Sequence, residues 1–382
     1  MIPYSRQFID DNDIKSVVKV LKSDFLTQGE FVNKFEEAFK KKYNVREAIS
    51  VNSATSGLIL ACKSLGLSKN DYFWATPNTY VASINCGLHC GAKLDFVDIN
   101  LNNLNISVND LEKKLKLAKK NNKLPKVLVI TDFAGLPSCS VKIYNLSKIY
   151  KFKIIQDASH SLGAKYLNSY VGDCKYSHIT VFSFHPVKII TTGEGGMITT
   201  NNKKIGSFLK VLRSGGITKS LSKNKIYSEG SWFYEQIALG YNFRLTDIQA
   251  ALGLSQLKKL DNFVKKRRKI SNIYQSKLSQ FPVSFQSEDV GYMSSYHLFV
   301  IKVDHKIRKK LFNFLRSKKI NVNVHYIPTN IHPFIKKLGF KKNDFPNALN
   351  YYKSAISIPI YPSLKKKQID YVIEVLKNFF TK

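Results

Sequence analysis

Between residues 45 and 200, short apolar runs rich in β-branched and aromatic residues alternate with longer amphipathic stretches, a pattern that restricts the chain to an α/β fold. The runs predict strands at 48–51, 72–76, 93–98, 126–131, 153–157, 179–184 and 197–200. Helices are expected between most of them, as at 55–65, 79–90 and 141–151. Sequential strands joined by helices give a mostly parallel, twisted sheet with helices on both faces. A length of 382 residues exceeds what one hydrophobic core comfortably serves, so two domains of unequal size are expected.

Such sheets bind ligands outside the carboxyl ends of their strands. Asp157 ends one predicted strand, and Ser183 and Lys188 belong to Phe182-Ser183-Phe184-His185-Pro186-Val187-Lys188 at the end of another, just before the turn Gly193-Glu194-Gly195-Gly196. A further segment, Asn52-Ser53-Ala54-Thr55-Ser56-Gly57, places small and hydroxylic residues at a helix start. Together these supply what pyridoxal phosphate needs: a lysine amine for a Schiff base with its aldehyde, a carboxylate for its pyridine nitrogen, and a helix start for its phosphate. One lysine among many is ordinarily a surface charge. A lysine at a strand end beside a glycine turn is the better candidate for Schiff-base formation and proton transfer, and Lys188 is that residue.

Asp157 either holds the pyridinium nitrogen or caps the turn after its strand; the former suits its strand-end position and its distance from Lys188. His160, in Asp157-Ala158-Ser159-His160, can pack against the cofactor ring, orient Asp157 or be purely structural. Ser53, Ala54 and Thr55 can offer amides and hydroxyls to the phosphate, with Ser183 as a further donor, although a plain helix cap explains the same residues. Tyr80 can stack on the ring or belong to the core.

Toward the C-terminus, Thr246 and Gln249 form a capping box ahead of a helix with Ile248, Ala251, Leu252 and Ser255 on one face. This helix leads out of a large cofactor-binding domain, 1–254, into a smaller α+β domain, 255–382, with strands near 296–303 and 320–326 and a last helix at 365–380.

The net charge of +33 allows a nucleic-acid, membrane-surface or polyanionic small-molecule partner. Its densest stretches, Lys258-Lys259, Lys265-Lys266-Arg267-Arg268-Lys269 and Lys365-Lys366-Lys367, lack interleaved aromatics and zinc-finger spacing, and read as solvated helix faces. The five cysteines, Cys62, Cys86, Cys90, Cys139 and Cys174, are odd in number and scattered, as expected of reduced thiols. Cys86, His89 and Cys90 share helical spacing but lack further nearby metal ligands, so helix packing is the expectation and no metal is assigned. The start carries no signal-peptide pattern, and no apolar run approaches the ~20 residues that span a bilayer. A cytoplasmic protein with neither a membrane nor a nucleic-acid partner is expected.

With these motifs in order, joined by Leu26-Thr27-Gln28-Gly29, Gly240-Tyr241-Asn242-Phe243-Arg244-Leu245 and Gln249-Ala250-Ala251-Leu252-Gly253, the chain resembles the DegT/DnrJ/StrS family of sugar aminotransferases over essentially its full length. The resemblance implies an aspartate aminotransferase (type I) fold and a homodimer with shared active sites. It further implies pyridoxal 5′-phosphate bound covalently to Lys188, Asn242 reaching the phosphate in the partner subunit, and Tyr4, Asp24, Phe25, Leu26, Thr27, Ala54, Ser183, Asn323, Val324, His325 and Tyr326 approaching a nucleotide sugar. Ser183-Phe184-His185, Leu254-Ser255-Gln256-Leu257-Lys258 and Val324-His325-Tyr326 are most similar to the pseudaminic acid branch of that family. That branch implies amino transfer from L-glutamate to C4 of a UDP-linked 4-keto-6-deoxy-N-acetylhexosamine, UDP-2-acetamido-2,6-dideoxy-β-L-arabino-hex-4-ulose. Two alternatives stand beside it: another nucleotide 4-keto sugar such as UDP-4-keto-6-deoxy-GlcNAc, and a basic nucleic-acid-binding protein on an inactive fold.

Overall fold

Seven strands form the central sheet: β1 (Glu47–Val51), β2 (Tyr72–Ala75), β3 (Lys93–Phe96), β4 (Pro125–Thr131), β5 (Lys153–Asp157), β8 (Ile179–Ser183) and β9 (Gly196–Thr200). A short hairpin, β6 (Lys165–Tyr166) and β7 (Ser169–Tyr170), interrupts the run between β5 and β8. The computed structural model describes residues 1–138, 140–218 and 230–381; Cys139 lies outside them. Every central strand falls on an apolar run picked out in the sequence.

The strand order is β1-β9-β8-β5-β4-β2-β3. Pairing is parallel from β8 through β5, β4 and β2 to β3, whereas β9 runs antiparallel to both its neighbours. The reason is local. The helices in the connections from β1 through to β5, and the long excursion through the β6–β7 hairpin between β5 and β8, bring the chain back for a parallel strand, but residues 184–195 contain neither and simply reverse it.

Alternation along the strands buries both faces. Val127 and Val129 of β4 enter one cluster with Leu58 and Leu60 of α3 (Ala54–Ser64) and Ile84 of α4 (Ala82–Leu88). Leu128 and Ile130 enter another with Leu111 and Leu115 of helix Val108–Lys120 and Ile143 of helix Val141–Tyr150. Helix Glu30–Tyr43 sets Phe35, Phe39 and Tyr43 against Phe182 and Phe184.

The capping box at Thr246 and Gln249 is present at the start of helix Asp247–Leu257. Its buried face differs from expectation: Ala250, Ala251 and Ser255 are buried, but Ile248 and Leu252 are only half-buried. Asp247 turns inward, and its carboxylate accepts from the amides of Gly29 (2.7 Å), Phe31 (2.7 Å) and Val32 (3.2 Å). It thereby satisfies the open first turn of helix Glu30–Tyr43 from a distant part of the chain.

The C-terminal part pairs strand Phe299–Lys302 with Ala355–Ile358 in antiparallel register and packs helices Leu260–Leu278, His305–Ser317 and Lys366–Phe380 around them. Ile2 joins this core. Two expectations need correction. Residues 320–326 form no strand; they hold only single bridges, Ile2 to Ile320 and Asn323 to Ser357, and the strand partner is 355–358. Nor is the 265–269 stretch uniformly solvated. Arg267 is fully buried and donates to the carbonyls of Tyr296 (3.2 Å), His297 (3.2 Å) and Ile360 (2.9 Å). Burial lowers its pKa to about 9.

Candidate active site

The carboxyl ends of β4, β5 and β8 open into a cavity of about 500 Å³. Register places Thr131 beside Asp157 and Asp157 beside Val181, so three strand ends deliver polar groups to one place. Tyr4, Ser53, Ala54, Thr55, Tyr80, Asp157, His160, Ser183, Lys188, Asn323, Val324, His325 and Tyr326 all line it.

Lys188 lies in the helix-free return between β8 and β9. The neck of that loop is closed by Phe184, whose amide donates to Gly195 O (2.9 Å) and whose carbonyl accepts from Thr192 N (3.0 Å) and Thr191 Oγ1 (2.9 Å). Ile189 and Ile190 are buried, and the Ser5 hydroxyl donates to Val187 O (3.0 Å). The loop is therefore fixed on both sides of the lysine. Lys188 is half-buried as a residue, but its amine sits deep in the cavity, where desolvation lowers its pKa to about 8 against the opposing charge of Asp157. A sizeable fraction is thus free amine near neutrality.

Asp157 is buried at the end of β5, and both its oxygens are engaged. Oδ1 accepts from Ser159 Oγ (2.5 Å) and Ser159 N (3.1 Å), and Oδ2 accepts from Ser83 Oγ. The local turn thus uses the same carboxylate that faces the cavity.

His160 is buried among Phe133, His297 and Tyr326. Its Nδ1 accepts from Ala134 N (3.3 Å) and its Nε2 meets the Tyr326 hydroxyl (3.1 Å). Both ring nitrogens are occupied away from Asp157, so His160 does not orient that carboxylate by hydrogen bonding. Burial, then the Lys188 charge, holds the imidazole well below its ordinary pKa. Burial and the same lysine lower His325 to about 3. His297, depressed by burial and by His160, has an Nδ1 without a hydrogen-bond partner among the described residues. The lysine is surrounded by neutral imidazoles.

Tyr80 is mostly exposed at the rim, its ring 6.2 Å from that of Tyr326, and so is not core. Ser53 caps α3, accepting from Ser56 N (3.1 Å). Gly196 brings β9 against that helix start: a Cβ there would lie 2.9 Å from Ala54 N and 2.8 Å from Phe182 O. The first amides of α3 consequently sit at the cavity floor.

Asp24, Phe25, Leu26 and Thr27 lie on an exposed segment away from the cavity, with Leu26 O accepting from Asp247 N (3.0 Å). Asn242 is exposed, bridged to Ser214, and outside the cavity of its own chain. Thr79, Thr131 and His297 line the cavity without having been singled out in the sequence, as do Ser159 and Glu194, which belong to the quoted motifs but were given no site role there. Thr131 ends the 126–131 run, so the strand-end rule that selected Asp157 could have selected it as well. His297 carried no such signal.

A lysine with a free-amine fraction, an aimed carboxylate and a helix start suit the donor and acceptor set of pyridoxal phosphate. Lys188 would hold the aldehyde carbon, Asp157 the ring nitrogen, and Ser53, Ala54, Thr55 and Ser183 the phosphate.

The parallel sheet with this site at its strand ends defines an aminotransferase of the type I pyridoxal phosphate fold. Comparison with known proteins bears this out, since residues 7–377 match the DegT/DnrJ/EryC1/StrS aminotransferase family. The chain belongs to that family. It is 39% identical over 386 residues to the UDP-4-amino-4,6-dideoxy-N-acetyl-beta-L-altrosamine transaminase of Campylobacter jejuni, covering 100% of this chain and 98% of that one. Helicobacter pylori PseC, an aminotransferase involved in the biosynthesis of pseudaminic acid, superposes with a TM-score of 0.90 at 31% identity, covering 100% of this chain and 99% of the other. A Streptococcus pneumoniae protein described as a sugar aminotransferase, in its PLP-form, superposes with a TM-score of 0.88 at 26% identity, covering 100% and 98%. The cofactor is pyridoxal 5′-phosphate. No helix among the described residues is long and apolar enough to cross a membrane.

Proposed function

We propose that this aminotransferase moves an amino group from L-glutamate to C4 of a UDP-linked 4-keto-6-deoxy-N-acetylhexosamine, UDP-2-acetamido-2,6-dideoxy-β-L-arabino-hex-4-ulose, as a step of pseudaminic acid biosynthesis. The observation that carries the chemistry is the Lys188 amine, desolvated to a pKa of about 8, in one cavity with Asp157. The choice of sugar is supported by the name and full-length similarity of the Campylobacter jejuni relative.

Bound pyridoxal phosphate supplies an electrophilic carbon and an electron sink for the pair released when a C–H bond breaks. The chain's own residues do the rest. Lys188, free to act as an amine near neutrality, takes the proton from one carbon and returns it to another. Asp157 keeps the ring nitrogen protonated by pairing with its charge. His160 and Tyr326 wall one side of the cavity, and Ser53, Ala54, Thr55 and Ser183 hold the phosphate. Tyr4 and Asn323, Val324, His325 and Tyr326 line the remaining space and are assigned to the nucleotide sugar.

The same reading divides the chain into a cofactor-binding domain, 1–254, and a small domain, 255–382. It also requires a second copy, which would complete the site with Asn242 and with Asp24, Phe25, Leu26 and Thr27. Large apolar side chains left exposed on these two regions support that assembly: Ile14, Val18, Leu21, Phe25, Trp232 and Leu239.

The test is the visible spectrum of the cofactor-loaded protein. L-Glutamate should remove the band near ~420 nm, and the UDP-linked keto sugar should restore it, with incorporation of labelled nitrogen into the sugar. Restoration by UDP-4-keto-6-deoxy-GlcNAc alone would move the assignment to that sugar. A protein without the band, but with salt-dependent DNA binding, would favour the inactive nucleic-acid-binding alternative.

A further inference from the structure

Behind Asp157 lies a row of buried hydroxyls. Ser83 Oγ bonds Asp157 Oδ2, Thr79 Oγ1 lies 2.8 Å from Ser83 Oγ, and Thr131 Oγ1 lies 2.7 Å from Thr79 Oγ1. All three residues are buried, Ser83 at 0% exposure, and they come from α4, the turn before it and the end of β4. Their donor order follows from chemistry. An ionised carboxylate only accepts, and each hydroxyl has one proton, so Ser83 donates to Asp157, Thr79 to Ser83 and Thr131 to Thr79. Such an ordered chain polarises each successive bond toward the charged end. Ser159 holds the other oxygen, Oδ1, through its hydroxyl and amide.

We propose that Thr131, Thr79 and Ser83 form a one-way hydroxyl chain that holds Asp157 as an aimed carboxylate, making them positioning residues for the ring nitrogen of the cofactor. This rests on the assignment of Asp157 to that nitrogen. Among the described residues no hydrogen bond joins these hydroxyls to the phosphate residues or to Lys188; Thr79 and Thr131 line the cavity but Ser83 does not, so Ser83→Ala is the variant whose effect runs through Asp157.

The experiment compares wild type, Ser83→Ala, Thr79→Val and Thr79→Ser by the pyridoxal phosphate Kd, the ¹⁵N shift of ring-labelled cofactor and the melting temperature of the apo protein. Ser83→Ala should weaken the Kd ~10-fold and move the ring nitrogen toward its unprotonated shift, as expected for losing a hydrogen bond to a charged group. Thr79→Val, nearly isosteric, should do the same to a lesser extent, about 3-fold, by analogy with a one-bond-removed effect. Thr79→Ser, which keeps the hydroxyl and loses the methyl, should match wild type. Unchanged Kd and ring shift in both Ser83→Ala and Thr79→Val overturn the proposal, as does a Thr79→Ser variant as impaired as Thr79→Val, which would assign the effect to packing. If borohydride reduction of the wild type fixes no cofactor on Lys188, the cofactor assignment itself fails, and the proposal with it.

Discussion

The Tyr326 hydroxyl meets His160 Nε2 at 3.1 Å, tying the C-terminal part of the chain to the turn that follows β5. Because His160 Nδ1 accepts from Ala134 N and the ring is held neutral, Nε2 carries the proton and donates to the tyrosine oxygen. Tyr326→Phe leaves that buried N–H unsatisfied, at a cost of about 1–2 kcal/mol. We expect a lower melting temperature and a several-fold weaker Kd for pyridoxal phosphate, both measurable without substrate. An unchanged Kd would show that this contact does not help shape the cofactor site.

Lys188→Ala should abolish amino transfer and covalent cofactor capture while leaving the circular dichroism spectrum unchanged. Its apo form should be no less stable than wild type, because the native amine is desolvated rather than stabilised in place. Full turnover by this variant would remove the central chemical assignment.

Uptake of cofactor by the apo protein should follow titration of that same amine. With a folded pKa of about 8, the reactive free amine gains tenfold per pH unit below that value and levels off above it. At pH 7 the free fraction is ~300 times that of an ordinary lysine. For stability the sign is opposite to that of a paired lysine. The folded pKa lies below the unfolded one, so between pH 8 and the ordinary lysine range the unfolded chain binds more protons and apo stability rises with pH. Stopped-flow absorbance across pH 6–10 measures the first effect; an uptake rate still climbing tenfold per unit above pH 9 would contradict the lowered pKa.

Asp132 sits beneath the site, accepting from Ser138 N (2.7 Å), Ser138 Oγ (2.5 Å), Gln156 Nε2 (2.9 Å) and Ser161 Oγ (2.5 Å). Burial nevertheless outweighs these bonds and raises its pKa to about 6. Between pH 4 and pH 6 the folded protein holds a proton that the unfolded chain has released, so this group's contribution to stability falls as pH rises through that window, by at most about 3 kcal/mol. Denaturant melts at pH 4.5 and 7 should therefore show the wild type losing stability relative to Asp132→Asn. A constant difference between the two proteins would assign Asp132 an ordinary carboxylate pKa in the fold.

Gly196→Ala should cost about 2–3 kcal/mol, because the added Cβ meets backbone on two sides, Phe182 O at 2.8 Å and Ala54 N at 2.9 Å. The start of α3 must then shift, so phosphate affinity should fall along with the melting temperature. A variant that loses stability while keeping its cofactor Kd would separate the helix start from phosphate binding.

The central strands were legible because each is a continuous apolar run bounded by turns, a signal that survives without knowledge of its neighbours. Asp157, Ser183 and Lys188 were legible for the same reason: they stand at or just beyond the ends of such runs, where sheets of this kind gather ligands. Residues 320–326 misled because Ile320, Val322 and Val324 alternate like a strand, yet the segment only meets Ile2 and Ser357 through single bridges. Arg267 misled because a basic run gives no sign of which member faces inward on helix Leu260–Leu278.

The sequence by itself therefore determined the layered α/β architecture, the lysine and carboxylate at its strand ends, and the capping box at Thr246. Only the tertiary structure decided that Asp247 would close the first turn of a helix more than two hundred residues away, that His160 would bond Tyr326 rather than Asp157, and that Thr131, Thr79 and Ser83 would line up behind that carboxylate. The difference is physical. Strands, caps and strand ends follow from periodicity and neighbours along the chain, whereas a hydroxyl or imidazole commits to a partner only once packing has brought distant segments within hydrogen-bonding reach and removed the water that would otherwise serve them.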